Sequence, residues 1–233
     1  MRGTDAKIAA SLFLLLGLFS PVVLSGLVDF SPGLIEHVHK RFGVEGPRRL
    51  AQMQLAVNRI KATAGKDFGK NVLRSTDGQF EMPILRQVND YYNRVPYFTD
   101  QEHWGVNDYW ATPVEFVASW GGDCEDYAIA KYMTLKDLGI PAERLRITYV
   151  RATRMGETHM VLAYYPTPTA EPWILDNLVD EIQPGSARSD LVPVYSFNDE
   201  DLWLASGSTR KGGASTVRLW KEMIEKMEKE RRM

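Results

Sequence analysis

The stretch Trp120-Gly121-Gly122-Asp123-Cys124-Glu125-Asp126-Tyr127-Ala128 constrains this chain more than any other. The glycine pair ends one helical pattern and an acidic cap opens the next, so a helix begins at the single cysteine in 233 residues. Asp123 is the expected N-cap, and Asp126 falls at the third helical position. Ala128, Ile129, Tyr132, Met133 and Leu135 carry the helix onward, apolar over most of its circumference, and Gly139 closes it. Such a helix belongs at the centre of a domain, which leaves Cys124 at its buried but approachable N-terminal end. The unpaired backbone N–H groups there favour a thiolate.

A lone cysteine excludes an intrachain disulfide and a cysteine-built zinc site. A net charge of −2 supplies no basic field for nucleic acid or an anionic membrane. The length suits one sizeable domain, and 44% apolar with 25% charged residues argues for a folded globular chain. Residues 1–28 stand apart. Arg2 and Lys7 precede an uncharged run from Ile8 to Val28 that predicts a secretory signal, with Val23-Leu24-Ser25 at the cleavage site, or else an uncleaved anchor. Either one exports the body of the protein.

The remainder divides into a domain at 29–206 and a tail at 207–233. Asp29 to Gly46 is mixed, with His37 and His39 either a metal pair or solvated surface. Gly46-Pro47 opens a helix carrying Leu50, Met53, Val57 and Ile60, with proline at its first position and Gly65 at its end. A polar stretch with turns then leads to a second helix bearing Ile84, Leu85, Val88, Tyr91 and Tyr92, which stops before Pro96. Tyr97 to Trp110 is an aromatic loop in which His103 is expected to be structural. Thr112-Pro113-Val114-Glu115 is a capping box that starts a short helix ending near Trp120. Beyond Pro141 the pattern is extended, with strands expected at 145–150, 159–165 and 171–176, then irregular or short extended structure through Pro184, Pro193 and Phe197. Helices followed by an antiparallel meander imply an α+β domain whose sheet packs on the Cys124 helix. Gly207 to Ser215 has linker composition. Trp220, Met223, Ile224 and Met227 then line one face of a charged helix that docks on the domain or on a partner.

A cysteine nucleophile needs a base, and the base needs orienting. Of four histidines, His159 is the one on an expected strand, at the head of an otherwise apolar run. The next strand ends in Leu175-Asp176-Asn177. Residues heading one antiparallel strand and ending its neighbour lie close together, so Asp176 falls within reach of the imidazole. Cys124, His159 and Asp176 are therefore the candidate catalytic residues. Three carboxylates beside the thiol raise its pKa and oppose activation, a conflict that a bound hard cation would resolve. The Cys124 backbone N–H is a natural oxyanion donor.

Trp120-Gly-Gly-Asp-Cys-Glu-Asp-Tyr-Ala-Ile-Ala-Lys-Tyr132, His159-Met-Val-Leu162 and Leu175-Asp-Asn-Leu178 resemble the bacterial transglutaminase-like cysteine proteinases of the LapG type. The likeness extends to Asp108-Tyr-Trp-Ala-Thr-Pro113, Arg188-Ser-Asp-Leu191 and Val194-Tyr-Ser-Phe-Asn198. It implies a papain/transglutaminase-like α+β core with Cys124, His159 and Asp176 as the triad. It implies calcium dependence with Asp123, Glu125 and Asp126 as ligands; the sequence has no EF-hand loop and leaves the remaining ligands open, backbone carbonyls and Asp108 among them. It further implies a periplasmic endopeptidase that cuts the N-terminal region of a large repetitive surface adhesin and so promotes biofilm dispersal. An inner-membrane cyclic di-GMP receptor would restrain it by sequestration. Two other functions fit the same residues: transglutaminase-type transfer to an amine, and a non-catalytic periplasmic binding module.

Overall fold

The computed structural model describes residues 26–204 and 217–233. The expected signal or anchor and the Gly/Ser linker lie outside the described residues, apart from positions 26–28. No described helix is long and apolar enough to cross a membrane.

Seven helices come first: α1 (Pro32–Phe42), α2 (Glu45–Ala64), α3 (Phe68–Val72), α4 (Met82–Tyr92), α5 (Asp100–His103), α6 (Pro113–Ser119) and α7 (Cys124–Asp137). Six strands follow: β1 (Leu145–Ala152), β2 (Glu157–Tyr164), β3 (Trp173–Leu175), β4 (Gln183–Pro184), β5 (Leu191–Phe197) and β6 (Leu202–Leu204), and then α8 (Arg218–Arg231). The strands form one antiparallel sheet in the order β4-β3-β2-β1-β5-β6. Helix α7 packs across β2 and β1, with α6 and α4 also against it. Ile129, Ala130, Tyr132 and Leu135 of α7 are fully buried, as its apolar circumference demands.

The α+β architecture agrees with the sequence, and the differences have local causes. The stretch read as mixed holds α1, capped by Ser31, whose Oγ accepts from the Leu34 N–H at 3.0 Å. Its apolar face is narrow, with only Leu34 and Val38 buried. His37 and His39 are both exposed. Two residues apart on a helix they point in nearly opposite directions, so the strand geometry that would join them on one metal ion is absent. Helix α2 begins at Glu45, which places Pro47 third and not first. The polar stretch contains α3, held by buried Phe68 and Val72, and the aromatic loop contains α5, with its own Thr99/Glu102 capping box. The largest departure is β5. It pairs with β1 inside the sheet, and Pro193 is accommodated at a register shift opposite Tyr149/Val150.

Helix α8 docks on its own domain. Trp220, Met223 and Met227 are buried, and the Trp220 ring lies edge-on to Tyr132 of α7 at 5.7 Å and to Phe197 of β5 at 5.3 Å. A polar seam closes beside them. Lys226 Nζ donates to the Trp110 carbonyl at 2.6 Å and to Glu115 Oε2 at 3.1 Å, while Thr112 Oγ1 donates to Glu230 Oε1 at 2.7 Å. Glu115 also accepts from Tyr109 Oη at 2.6 Å and pairs with Arg41 of α1. Burial works to raise the Glu115 pKa, but Lys226, the Tyr109 hydroxyl, the Thr112 N–H and Arg41 together bring it below the usual glutamate range.

Because Trp220 joins three elements, Trp220→Ala is expected to lower unfolding free energy by about 3–5 kcal/mol. Equilibrium chemical denaturation reads this directly, and a loss below about 1 kcal/mol would detach α8 from the cooperative unit.

Candidate active site

The entry to α7 is built by close approach. Helix α6 ends at Trp120 in the left-handed region, with φ 62° and ψ 49°. A Cβ on Gly121 would lie 2.6 Å from His103 Cε1, and one on Gly122 would lie 2.2 Å from Asp126 Oδ2. Both positions therefore exclude side chains. His103 stacks on Phe98 with ring centroids 5.5 Å apart, and its Nε2 meets Ser119 Oγ at 2.8 Å. It packs this corner, the structural role expected of it. The Gly122 carbonyl accepts from the Phe98 N–H at 3.0 Å, so the Tyr97 segment lies alongside the glycine pair.

The sheet carries the candidate base, His159. Leu162 of β2 pairs with Leu175 of β3, and Asp176 is the next residue along. It stands diagonally from His159, two residues back on β2, a separation that long side chains bridge. His159 Nε2 and Asp176 Oδ1 are 2.8 Å apart, and both residues are buried. With Nε2 committed to the carboxylate, Nδ1 is the nitrogen free for a reacting partner. Asp176 Oδ1 also accepts from the Leu178 N–H at 3.0 Å, and Oδ2 accepts from Arg188 at 2.8 Å. Burial alone would raise the Asp176 pKa. The His159 hydrogen bond and charge, the Leu178 N–H and Arg188 overcome it and hold the pKa at about 2. Arg188 is fixed in turn by Asp190 at 3.0–3.1 Å.

Cys124 and His159 line one cleft of about 580 Å³ together with Asp100, Asp108, Asp123 and Glu125. The thiol donates to Glu125 Oε2 at 3.2 Å. Burial, then the charges of Glu125 and Asp123, push the thiol pKa well above its ordinary value, against a smaller lowering by the Met160 N–H. The helix-start effect expected to favour thiolate is thus outweighed by its acidic neighbours.

Those neighbours form a larger set than the three read from the helix start. Oxygen atoms of Asp100, Asp123 and Asp126 lie within 4.8 Å of one another, as do those of Asp100, Asp108 and Glu125. Burial and mutual repulsion raise Asp123 to about 9 and Glu125 to about 7, and they raise Asp100 and Asp126 as well, while burial and the charge of Glu222 raise Asp108. Asp126 is the most constrained, its Oδ1 accepting from the Ala111 N–H at 2.8 Å and its Oδ2 from the Asp123 N–H at 3.4 Å. Among the described residues, Asp100 Oδ1 and Asp123 Oδ1 are buried with no hydrogen-bond partner. Clustered carboxylates with two orphaned oxygens are the donor chemistry of a hard divalent cation, so the residues present fit such an ion.

All six residues singled out in the sequence thus belong to this neighbourhood. Cys124, Asp123 and Glu125 line the cleft with His159, Asp176 backs the imidazole, and Asp126 braces the helix entry. Asp108, a suggested further ligand, is here too. Asp100 and Arg188 were missed. Asp100 opens a four-residue helix inside an aromatic loop, and Arg188 stands out only within its Arg-Ser-Asp-Leu motif.

A helix-start cysteine beside a sheet-borne His–Asp pair places the chain in the papain/transglutaminase-like class of α+β proteins. Residues 58–210 match the model for bacterial transglutaminase-like cysteine proteinases (BTLCP), and the chain belongs to that family of cysteine proteases. It is similar to solved structures of Legionella pneumophila LapG. One, at 35% identity and TM-score 0.65, is matched over 83% of this chain and 95% of that one. An EGTA-treated form matches at 35% identity and TM-score 0.66, and a calcium-bound form at 36% and 0.64, each over 83% of this chain and 97% of the other. Among curated proteins, none matches the sequence.

A carboxylate held at about 2 in the folded state, against roughly 3.9 when unfolded, contributes about 2 kcal/mol of stability. That contribution is complete above about pH 4 and is lost as pH falls through 2. The stability gap between the wild type and Asp176→Asn should therefore shrink across this window in pH-dependent denaturation. A gap that does not vary with pH contradicts the assignment.

Proposed function

We propose that this protein is a calcium-dependent periplasmic cysteine endopeptidase with Cys124, His159 and Asp176 as its triad. The observation that carries the reading is the 2.8 Å His159–Asp176 contact at the cleft that also contains Cys124. The Cys124 thiolate attacks a peptide carbonyl while its backbone N–H, at the start of α7, donates to the developing oxyanion. His159, as imidazolium, protonates the departing amine through Nδ1. It then takes a proton from water, which hydrolyses the thioester and frees Cys124. Asp176 keeps the ring in one tautomer and stabilises its charged form, with Arg188 fixing the carboxylate from behind.

Asp100, Asp108, Asp123, Glu125 and Asp126 would hold calcium, which supplies positive charge against the carboxylates that oppose thiolate formation. The calcium-bound form of L. pneumophila LapG supports this reading, together with the orphaned Asp100 and Asp123 oxygens. The family resemblance supports the rest. The substrate is the N-terminal region of a large repetitive surface adhesin, cleaved to release cells from biofilm, and an inner-membrane cyclic di-GMP receptor holds the protease inactive. The uncharged run from Ile8 to Val28 supports export to the periplasm.

Cys124→Ala is expected to reduce adhesin cleavage at least about 10³-fold, and excess EGTA to reduce the wild type to a similar level until calcium is restored. Cleavage that survives chelation contradicts the calcium reading. A labelled amine separates protease from transglutaminase, because label incorporation without chain cleavage contradicts the endopeptidase. Calcium should also raise thermal stability, and more at pH 8 than at pH 5. The raised pKa values of Asp123 and Glu125 make the calcium-free fold lose stability as pH climbs from about 4 through 7 and toward 9.

A further inference from the structure

Helix α7 packs on one face of the sheet, and the other face carries a groove of about 800 Å³. Its base is Val150, Val161, Ala163 and Ile174, an apolar cluster separate from the main core. An antiparallel sheet that turned this face to water would alternate to polar residues here. These four are aliphatic and buried, and Val192 and Leu204 on the walls are exposed. The groove is therefore apolar from base to rim, the mark of a surface that binds something.

Its charged residues are of one sign. Arg146 and Arg188 line it, and no Asp or Glu does among the described residues. Arg146 lies between the rings of Tyr165 and Trp203, with Cζ 4.2 Å from each centroid. Its Nε is buried without a hydrogen-bond partner among the described residues. The two rings fix the guanidinium, and the groove around it offers no carboxylate. Arg188 is 5% exposed. Asp190 and Asp176 take its Nε and Nη2, while its Nη1 is buried without a partner among the described residues. Strand β1 runs from the Arg146 end to Ala152, whose partner Leu191 follows Arg188 by three residues. The two arginines thus mark opposite ends of the groove.

An occupant that fits is apolar along its length, brings a carboxylate to Arg146 and offers an acceptor to Arg188. An extended peptide meets all three needs. Alternate side chains fill the base, one acidic side chain pairs with the stacked guanidinium, and backbone carbonyls supply the acceptor. We propose that this face of the sheet is a docking groove for an extended apolar segment of another protein, whose acidic residue is read by Arg146 between Tyr165 and Trp203. The catalytic cleft, lined by Asp100, Asp108, Asp123 and Glu125, has the opposite charge, so the two surfaces select different segments. The proposal stands independently of the triad reading.

The test is isothermal titration calorimetry of the full chain with the peptide acetyl-Glu-Val-Leu-Val-Glu-amide and its counterpart with lysine at both ends. A charge at each end lets either chain direction place one beside Arg146. The acidic peptide should bind at least about tenfold more tightly than the lysine peptide. Arg146→Gln should remove that preference, and Arg146→Glu should reverse it. Leu204→Asp, at an exposed wall position of an edge strand, should weaken the acidic peptide about tenfold without lowering the melting temperature. The proposal is overturned if the acidic peptide does not bind at about 1 mM, or if its advantage survives in Arg146→Glu. It is also overturned if Leu204→Asp binds as tightly as the wild type. Loss of binding on alkylation of Cys124 would place the peptide in the catalytic cleft, and that too overturns it.

Discussion

Negative charge crowded around a thiol is the constraint on which the rest of this structure depends. Three separate pieces of chain deliver it: Asp100 from α5, Asp108 from the loop ahead of α6, and Asp123, Glu125 and Asp126 from the start of α7. A helix N-terminus stabilises a nearby anion by about 0.3–1 kcal/mol, far less than the cost of burying several carboxylates side by side. The balance shows in the directions of the shifts, since every one of these acids and Cys124 itself is pushed toward its protonated form. A site in this condition holds a thiol and not a nucleophile. In our reading a hard cation reverses the balance, which makes metal binding a condition of reactivity as well as of stability.

The carboxylate behind His159 is arranged the other way. Asp176 is as buried as Asp126, yet a histidine, an arginine and a backbone N–H keep it ionised at about 2. The carboxylates around the sulfur are pushed up, and the one behind His159 is pulled down. That separation is the usual mark of assigned roles in an active site. The scaffold keeps both groups in place. Helix α7 crosses the β2–β1 surface, and α8 clamps α6 and β5 through Trp220 and the Glu115–Lys226 pair.

What could be read from the residues follows the range of the forces involved. The extent of α7, its acidic cap, the Thr112 capping box and the strand positions of His159 and Asp176 depend on periodicity and local chemistry, which a sequence displays. Helices α1, α3 and α5 escaped because each buries so little: Leu34 and Val38, Phe68 and Val72, and Asp100. Strand β5 escaped because Pro193 argues against an interior strand unless a register shift, set by β1, makes room for it. Asp100 and Arg188 acquire their places from partners on other elements.

The central claim, that a cation switches Cys124 from thiol to nucleophile, is open to one direct measurement. The rate of Cys124 alkylation by iodoacetamide at pH 7 can be followed as calcium is titrated into the EGTA-treated protein. The account predicts a saturable rise of at least about tenfold, corresponding to a thiol pKa lowered by about one unit or more. A rate that does not respond to calcium would show that the acidic cluster and the thiol are not coupled through a cation.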